Sequence, residues 1–312
     1  MKFFVLFLFI LIVPATASDL SVLTWNTFLI PHPINSTRQE ERADLMAKKL
    51  KAMNDDIIFF QEAFLDSKRE QLINELSSGY PYFAVPKEGN GFFKFIGPGL
   101  FIVSKYPMKV LDQIIFDDCA GMDCFAAKGA ILVEIYLPQS NPNSSYRTIQ
   151  MVNTHLQAWT DPSAVLVRKK QLQQIKEMMK TNAKMGVAQV LVGDLNIDGK
   201  LASEYTDSLH LMEMFSTPLE GQLTSTNGFS TSECFDNPGG APEGEWIDHL
   251  WLNSNNTDTT IYGKKIIPIF GELDSKKCPL SDHHAVRAQI EVKENSPKHL
   301  ATEHSSKSIK VF

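Results

Sequence analysis

The chain has 312 residues, of which 43% are hydrophobic and 21% are charged, a composition typical of a globular protein. Its net charge of −6 provides no broad positive field, so nucleic acid is not an expected partner. A chain of this length can bury a large core without relying on disulfides or metals for stability.

Residues 1–17 have the pattern of a secretory signal peptide. Lys2 gives a basic start, residues 3–13 are apolar, and residues 15–17 form a small-residue cleavage site. The apolar stretch is shorter than the ~20 residues that a membrane-spanning helix needs. We therefore expect a secreted protein, extracellular or periplasmic, whose mature chain begins near Ser18.

Apolar runs that end in polar residues predict the strands, and 3.6-residue periodicity predicts the helices. The strands are expected at residues 20–26, 56–62, 99–107, 128–137, 147–155, 186–194, 245–253 and 284–292. Helices are expected over residues 36–53, with a capping box from Thr37 to Glu40, over residues 66–78, and from the Asp161-Pro162 cap onwards. Several strands follow one another without an intervening helix. This order favours a single α/β domain over residues 18–293, with two mixed sheets, outer helices and a polar tail at residues 294–312.

The four cysteines are an even number in a chain that we expect to reach an oxidising compartment. Three pairings are possible. We favour Cys119–Cys124 as a local clip and Cys234–Cys278 as a long-range bridge.

Polar side chains of one chemical kind stand where the predicted strands end. They are Asn26, Glu62, His155, Asp194, Asn196, Asp248, Asp282 and His283. Taken singly, such residues are commonly turn formers or hydrogen-bonded core residues. Strand alternation, however, places Asp194 and Asn196 on one side with Leu195 opposite. Hard oxygen ligands together with two histidines predict metal-assisted hydrolysis of a phosphate ester, with Mg²⁺ as the cofactor and Mn²⁺ or Co²⁺ as substitutes.

The order of these motifs resembles the endonuclease/exonuclease/phosphatase superfamily, which includes deoxyribonuclease I. The motifs are Asn26, QE (61–62), THLQA (154–158), GDLN (193–196), ID (247–248) and SDHHAV (281–286). Within the superfamily, YPYFAVP (80–86), GLFIVSKYP (99–107) and AAKGAILVEI (126–135) are similar to secreted bacterial neutral sphingomyelinases. The resemblance implies a four-layer α-β-β-α sandwich. It also implies a monomer that hydrolyses sphingomyelin, or another choline phospholipid, at a membrane surface.

The resemblance further implies which residues bind the metal and which activate water. Glu62 would be the direct metal carboxylate, with Asn26 beside it and Asp282 in direct or water-mediated contact. His283 would be the general base, oriented by Asp248.

Other positions are implied to contact the phosphate. Asn196 would bind a phosphate oxygen, Asp194 would position the water, and His155 would stabilise the pentacoordinate phosphate or assist the leaving group. Lys128, which follows Asp123 in a D-x₄-K spacing, would add positive charge to the substrate site.

Two stretches depart from the sphingomyelinase pattern. Ile96 and Pro98 replace the acid or hydroxyl residue that supports the first histidine in relatives, so the partner of His155 is open. Residues 259–278 replace a long aromatic-tipped hairpin and contain no tryptophan pair. The candidates for membrane contact are Phe92, Phe93 and Phe95 in one loop, with a core location as their alternative, and Ile269 and Phe270 in another.

Three other functions were weighed against this interpretation. A secreted nuclease would need a basic, aromatic groove, and only short pairs such as Lys169-Lys170 are present. A phosphoinositide phosphatase would carry a Trp-Cys-Asp-Arg motif where residues 246–249 read Trp-Ile-Asp-His. A non-catalytic binding protein would be expected to lose ligand positions that are all filled here.

Overall fold

Two six-stranded sheets form the centre of the molecule. The computed structural model describes residues 18–31, 38–87, 96–138, 147–227, 234, 244–253 and 258–292. The expected signal peptide, the loop with Phe92, Phe93 and Phe95, and the tail lie outside the described residues.

The first sheet pairs the start of the chain with its end. In spatial order its strands are β11 (Thr259–Ile267), β14 (Ala285–Val292), β1 (Ser18–Asn26), β2 (Ile57–Gln61), β4 (Phe101–Ser104) and β3 (Tyr82–Ala84). β1 and β2 are parallel, and the other neighbours are antiparallel.

The second sheet has the same mixed character. Its strands are β5 (Met108–Ile115), β6 (Gly129–Leu137), β7 (Arg147–His155), β8 (Gln189–Asp194), β10 (Asp248–Asn253) and β9 (Met214–Phe215). Here β7 and β8 form the parallel pair. A separate hairpin consists of β12 (Phe270–Leu273) and β13 (Lys276–Pro279).

Helices cover the outer face of each sheet. α1 (Gln39–Met53) and α2 (Asp66–Leu76) pack on the first sheet, whereas α3 (Pro162–Thr181) and α4 (Ala202–Met212) pack on the second. The largest apolar cluster lies between the two sheets. The predicted four-layer α-β-β-α sandwich is therefore confirmed. Among the described residues, no helix combines the length and apolar character needed to cross a bilayer.

Side-chain alternation assigns the residues of each strand to the two faces of its sheet. In β1, Leu20 and Val22 face the opposing sheet, whereas Leu23 and Trp25 face the helices. The next inward position after Val22 and Thr24 is Asn26, the last residue of the strand. The polar strand ends are thus directed into the space between the sheets, at one edge of the sandwich.

Both predicted disulfides are confirmed. Cys119–Cys124 has a Cα–Cα distance of 5.2 Å and closes a short loop that contains the 3₁₀ helix Gly121–Phe125. Cys234–Cys278 has a Cα–Cα distance of 5.6 Å and joins β13 to a segment 44 residues earlier in the chain.

The predicted helices agree with the structure in part. Thr37 of the expected capping box lies outside the described residues, and α1 begins at Gln39, after Arg38 in a left-handed conformation without a side-chain cap. The Asp161 cap is confirmed, since its carboxylate accepts from the Ser163 and Ala164 backbone amides. The sequence did not predict α4 because few of its residues are apolar and buried, which gives no clear helical period.

The expectation that Ile269 contacts a membrane is wrong. Ile269 is buried in the apolar cluster beneath the first sheet. Phe270 is half-buried and lies against the Lys277 ammonium and the His284 ring. The tip of this hairpin carries Asp274 and Ser275, so it presents polar groups rather than an apolar surface.

Candidate active site

The predicted site residues meet at one edge of the sandwich, between the sheets. Strand register aligns His155 with Asp194 in the parallel pair β7–β8, and Asp248 with Asp194 in the antiparallel pair β8–β10. Asn26 ends β1, and Glu62 follows β2 directly. Residues far apart in sequence are therefore brought together because their strands end at the same edge.

A buried polar network beneath the site connects the two sheets. Gln61 in β2 donates to Asn153 Oδ1 in β7 at 2.7 Å, and its amide also exchanges hydrogen bonds with Thr24. Asn153 in turn donates to the Phe60 carbonyl at 3.0 Å. These bonds fix the strand ends relative to each other, because unpaired polar groups would be costly at this depth.

His283 and Asp248 form the shortest side-chain contact between the proposed catalytic groups. Nδ1 of His283 lies 2.8 Å from Oδ2 of Asp248. Burial alone would lower the pKa of His283, but the carboxylates of Asp248, Asp282 and Asp194 raise it well above its usual value. The Trp25 indole fixes the backbone by donating to the His283 carbonyl at 3.0 Å. The imidazole is therefore held in a position that favours proton uptake.

Asp194 lies between the two histidines. Its Oδ2 is 3.6 Å from Nε2 of His155 and 3.9 Å from Nε2 of His283. It accepts hydrogen bonds from Asn26 Nδ2 at 2.9 Å and from the Asn196 backbone amide at 3.0 Å. Burial, followed by the Asp248 carboxylate, raises the pKa of Asp194 to about 6.

The structure gives His155 a cationic neighbour in place of the residue missing from the sequence pattern. Lys128 Nζ lies 3.1 Å from Nε2 of His155, and it also donates to the Leu156 carbonyl at 2.7 Å. Asp123 forms an ion pair with Lys128 at 2.7 Å. Burial and the Lys128 charge lower the pKa of His155 well below its usual value. His155 is thus held neutral, whereas His283 attracts a proton.

Glu62 is the least satisfied carboxylate of the site. Oε2 is buried without a hydrogen-bond partner in the described part of the chain, and Oε1 is 3.8 Å from Nε2 of His155. Burial and the nearby Asp282 carboxylate raise the pKa of Glu62 to about 8. The buried Arg42 guanidinium lies on the same side and offsets part of this charge. A free carboxylate oxygen beside a second acid fits a hard divalent cation.

The closest cluster of ligand atoms differs from the predicted metal set. Asp194, Asp248 and His283 each offer an atom within 4.8 Å of the others. The His283–Asp248 contact already occupies two of these groups. Oδ1 of Asp248 and Oε2 of Glu62 are both buried without a hydrogen-bond partner among the described residues, so each group of residues offers a carboxylate oxygen to a cation.

The site opens into a cleft of about 460 Å³ that includes residues the sequence did not predict. Trp159, Asn227 and Glu245 line it together with the predicted site residues. The sequence offered a weak signal for two of them, because Trp159 follows THLQA and Glu245 precedes Trp246-Ile247-Asp248. Tryptophan is not a usual catalytic group, and Glu245 begins rather than ends its predicted strand, so the pattern alone gave no reason to select them.

Comparison with known proteins identifies the class of this fold and site. A profile of the Endonuclease/Exonuclease/phosphatase family matches residues 23–283, so the chain belongs to that family. Together with relatives named for diester hydrolysis, this makes it a phosphoric diester hydrolase.

Its relatives narrow the class. Sphingomyelinase C from Bacillus cereus is 27% identical over 281 residues, which cover 80% of this chain and 80% of the relative. Sphingomyelinase C 2 from Leptospira interrogans is 28% identical over 210 residues, covering 61% of this chain but only 32% of the longer relative. The chain therefore spans about a third of that relative's length.

A solved structure shows the same fold. The crystal structure of a beta toxin variant from Staphylococcus aureus with bound magnesium ions superimposes with a TM-score of 0.69. It is 21% identical, and the match covers 87% of this chain and 99% of the toxin.

Proposed function

We propose that the chain is a secreted, Mg²⁺-dependent phosphodiesterase that hydrolyses sphingomyelin, or a closely related choline phospholipid, to ceramide and phosphocholine. The observation that carries the proposal is the pairing of His283 with Asp248, opposite the unpartnered oxygen of Glu62, in one cleft. The relatives named sphingomyelinase C support the substrate class.

His283 is the proposed general base. Its Nδ1–H donates to Asp248, which leaves Nε2 as the proton acceptor on the side of Asp194. Nε2 takes a proton from water, and the resulting hydroxide attacks phosphorus as the bond to the ceramide oxygen breaks. The departing ceramide oxygen takes up a proton from solvent. Asp248 stabilises the imidazolium that this transfer creates.

His155, Lys128 and Asn196 are the proposed phosphate-side groups. Lys128 lies behind His155 and adds positive charge where negative charge develops on the phosphate oxygens. Asn196 is fixed by its left-handed backbone and donates to the Leu156 carbonyl at 3.1 Å. Its second amide hydrogen can donate to a phosphate oxygen.

Glu62, Asn26 and Asp282 would hold the cation. When bound there, Mg²⁺ supplies positive charge that polarises the phosphate and stabilises the developing negative charge. Asn26 keeps one acceptor lone pair available, because among the described residues Oδ1 accepts from the Phe28 amide alone, while Nδ2 donates to Asp194.

The proposed setting is a monomer acting at a membrane outside the cell. The signal-like N-terminus and the two disulfides support export. Exposed apolar side chains lie beside the cleft on the 3₁₀ helix, where Met122 exposes 66% and Phe125 exposes 44% of its surface. They can reach the acyl boundary of a bilayer while the cleft meets the head group.

A hydrolysis assay tests the proposal. Purified protein lacking residues 1–17 should release phosphocholine from sphingomyelin vesicles with Mg²⁺ and not with chelator, and it should not cut plasmid DNA. Met122→Ser with Phe125→Ser should lower activity on vesicles more than activity on a soluble phosphocholine ester. Cleavage of DNA or of phosphoinositides in place of sphingomyelin would instead support a secreted nuclease or a phosphoinositide phosphatase.

A further inference from the structure

Trp159 occupies an unusual position at the mouth of the cleft. It exposes 49% of its surface. Among the described residues that line the cleft, it is the only phenylalanine, tyrosine or tryptophan. Its backbone is left-handed, with φ at 71°. Such a conformation is uncommon for a bulky residue and persists only where neighbouring groups enforce it.

A buried arginine, paired with a partly exposed glutamate, enforces this backbone. Arg168 is 1% exposed and donates from Nη1 to the carbonyls of both Gln157, at 3.0 Å, and Trp159. Glu204 holds the guanidinium through contacts of 2.7 and 3.0 Å. The backbone of the Trp159 loop is therefore fixed by a charged group that packing has already immobilised.

The indole rests on a glycine. A Cβ added at Gly121 would lie 2.9 Å from a ring carbon of Trp159, closer than such contacts normally occur. One side of the ring thus packs closely against Gly121, and the other side remains accessible to solvent. An exposed aromatic ring that is held in this way is suited to contact a ligand.

Glu245 provides a carboxylate that lines the same cleft. Its Oε2 accepts from Asn227 Nδ2 at 2.9 Å, while its backbone amide donates to Asn227 Oδ1 at 2.7 Å. Asn227 also pairs with His283 through an isolated bridge, which ties this carboxylate to the catalytic segment. No lysine or arginine is among the described residues that line the cleft, so its surface favours cations.

We propose that Trp159 and Glu245 form a subsite for the quaternary ammonium of the phosphocholine head group; this inference rests on the proposed function. A trimethylammonium group has no N–H donor, so hydrogen bonds cannot recognise it. The face of an indole attracts such a cation, and a carboxylate adds long-range attraction. The two residues determine specificity, whereas the bond-breaking groups lie deeper in the cleft.

Two soluble esters separate charge recognition from chemistry. p-Nitrophenyl phosphocholine carries the cation, and p-nitrophenyl 3,3-dimethylbutyl phosphate replaces its nitrogen with carbon while keeping the shape. The wild type should prefer the choline ester in kcat/KM. Trp159→Leu should reduce that preference by about 5- to 30-fold, mainly through KM, and Glu245→Gln should reduce it by about 3-fold or more.

Matched controls isolate the effect. Phe83→Leu removes another exposed aromatic ring, and Glu177→Gln removes another exposed carboxylate, both away from the cleft. These variants should keep the wild-type preference. Thermal unfolding of all four variants establishes that each is folded.

The outcomes distinguish the subsite from the proposed function. If the wild type hydrolyses both esters equally, or if Trp159→Leu slows both equally, the subsite is overturned while the hydrolase remains. If neither ester is hydrolysed, the proposed function fails. Calorimetric titration with phosphocholine then decides the subsite alone: weaker binding to Trp159→Leu than to Phe83→Leu supports it, and equal or absent binding rejects it.

Discussion

The two sheets contribute different kinds of side chain to the active site. The second sheet supplies His155, Asp194 and Asp248, each with one side-chain atom within 3.1 Å of a protein partner. Nδ1 of His155 and Oδ1 of Asp248 are nevertheless buried without a hydrogen-bond partner among the described residues. On the side of the first sheet, Glu62 has a buried oxygen without a hydrogen-bond partner among the described residues. Each second-sheet group is thus held by at least one side-chain contact within 3.1 Å, whereas Glu62 has no side-chain hydrogen bond in the described part of the chain.

This difference indicates that the two halves of the site have separate roles, one in proton transfer and the other in metal binding. A group that is already hydrogen-bonded needs no rearrangement to orient a proton transfer, so the second-sheet half is preorganised for acid–base chemistry. An unpaired buried carboxylate is costly until a cation neutralises it. The first-sheet half should therefore depend on metal, and the following experiments test that separation.

Replacement of Glu62 should have the largest effect. Glu62→Gln keeps the size of the side chain but removes its charge, so activity should fall by at least ~10³-fold. The rise in melting temperature on adding Mg²⁺ should also disappear, because a ligand stabilises only the state that binds it. Glu75→Gln on α2 is the matched control. Near-normal turnover of Glu62→Gln at modest Mg²⁺ would exclude Glu62 as the essential ligand.

Removal of the base should come next. His283→Ala should lower kcat by ~10²–10⁴-fold, and Asp248→Asn should cost less, because the imidazole remains. Mg²⁺ should still raise the melting temperature of Asp248→Asn, since that residue belongs to the second-sheet half and not to the metal-dependent half. His210→Ala, on the exposed side of α4, is the control. A larger loss in His155→Ala than in His283→Ala would transfer the role of base to His155.

Removal of the two disulfides should affect activity and stability to different extents. The Cys119–Cys124 loop contains Asp123, which holds Lys128 and also accepts the Ala158 amide beside the His155 loop. Replacing both cysteines by Ser should lower activity roughly tenfold by loosening Lys128, with a stability loss of about 2 kcal/mol. Replacing the Cys234–Cys278 pair should cost about 4 kcal/mol, because the loop is longer, but spare the activity of the folded protein. Equal activity losses would show that neither loop acts on the site specifically.

Strand-end chemistry made most of this site predictable from the sequence. Asn26 and Asp194 end their strands, Asp248 begins its strand, and alternation directs all three to the same space. The pairing of β8 with both β7 and β10 could not be derived from periodicity. The resemblance to a family implied that these residues share one site, without specifying the strand order.

Loop residues were beyond prediction for a physical reason. The position of Trp159 depends on Arg168 and Gly121, and neither position has a local sequence signal for that contact. The prediction for Ile269 was wrong because an apolar residue between short strands can lie either in the core or on the surface. Only the packing of β12–β13 against the first sheet decides between these alternatives.

Replacement of Lys264 should have the smallest effect on activity. It tests whether the second-sheet half of the site depends on groups behind it. Lys264 is fully buried on β11, where Nζ donates to Ser216 at 2.7 Å and lies 4.8 Å from the Trp246 ring. Trp246 in turn donates to the Asp248 carbonyl at 3.1 Å. Lys264→Met keeps the aliphatic packing, so activity should stay close to the wild-type value. A large loss would mean that the acid–base half depends on this cation behind it.

The same variant should change how stability depends on pH. Burial lowers the pKa of Lys264 from 10.5 to about 7 in the folded chain, so the unfolded chain binds this proton more tightly. The contribution of Lys264 to the free energy of unfolding should therefore rise as pH increases from about 7 to 10.5, by on the order of 5 kcal/mol, and remain fully unfavourable below pH 7. Urea unfolding across this range should show that rise in the wild type and in Lys265→Met, an exposed neighbour, but not in Lys264→Met. Parallel pH profiles in all three proteins would show that the buried ammonium retains its ordinary proton affinity, and the Trp246 ring and Ser216 would then be sufficient to solvate the charge.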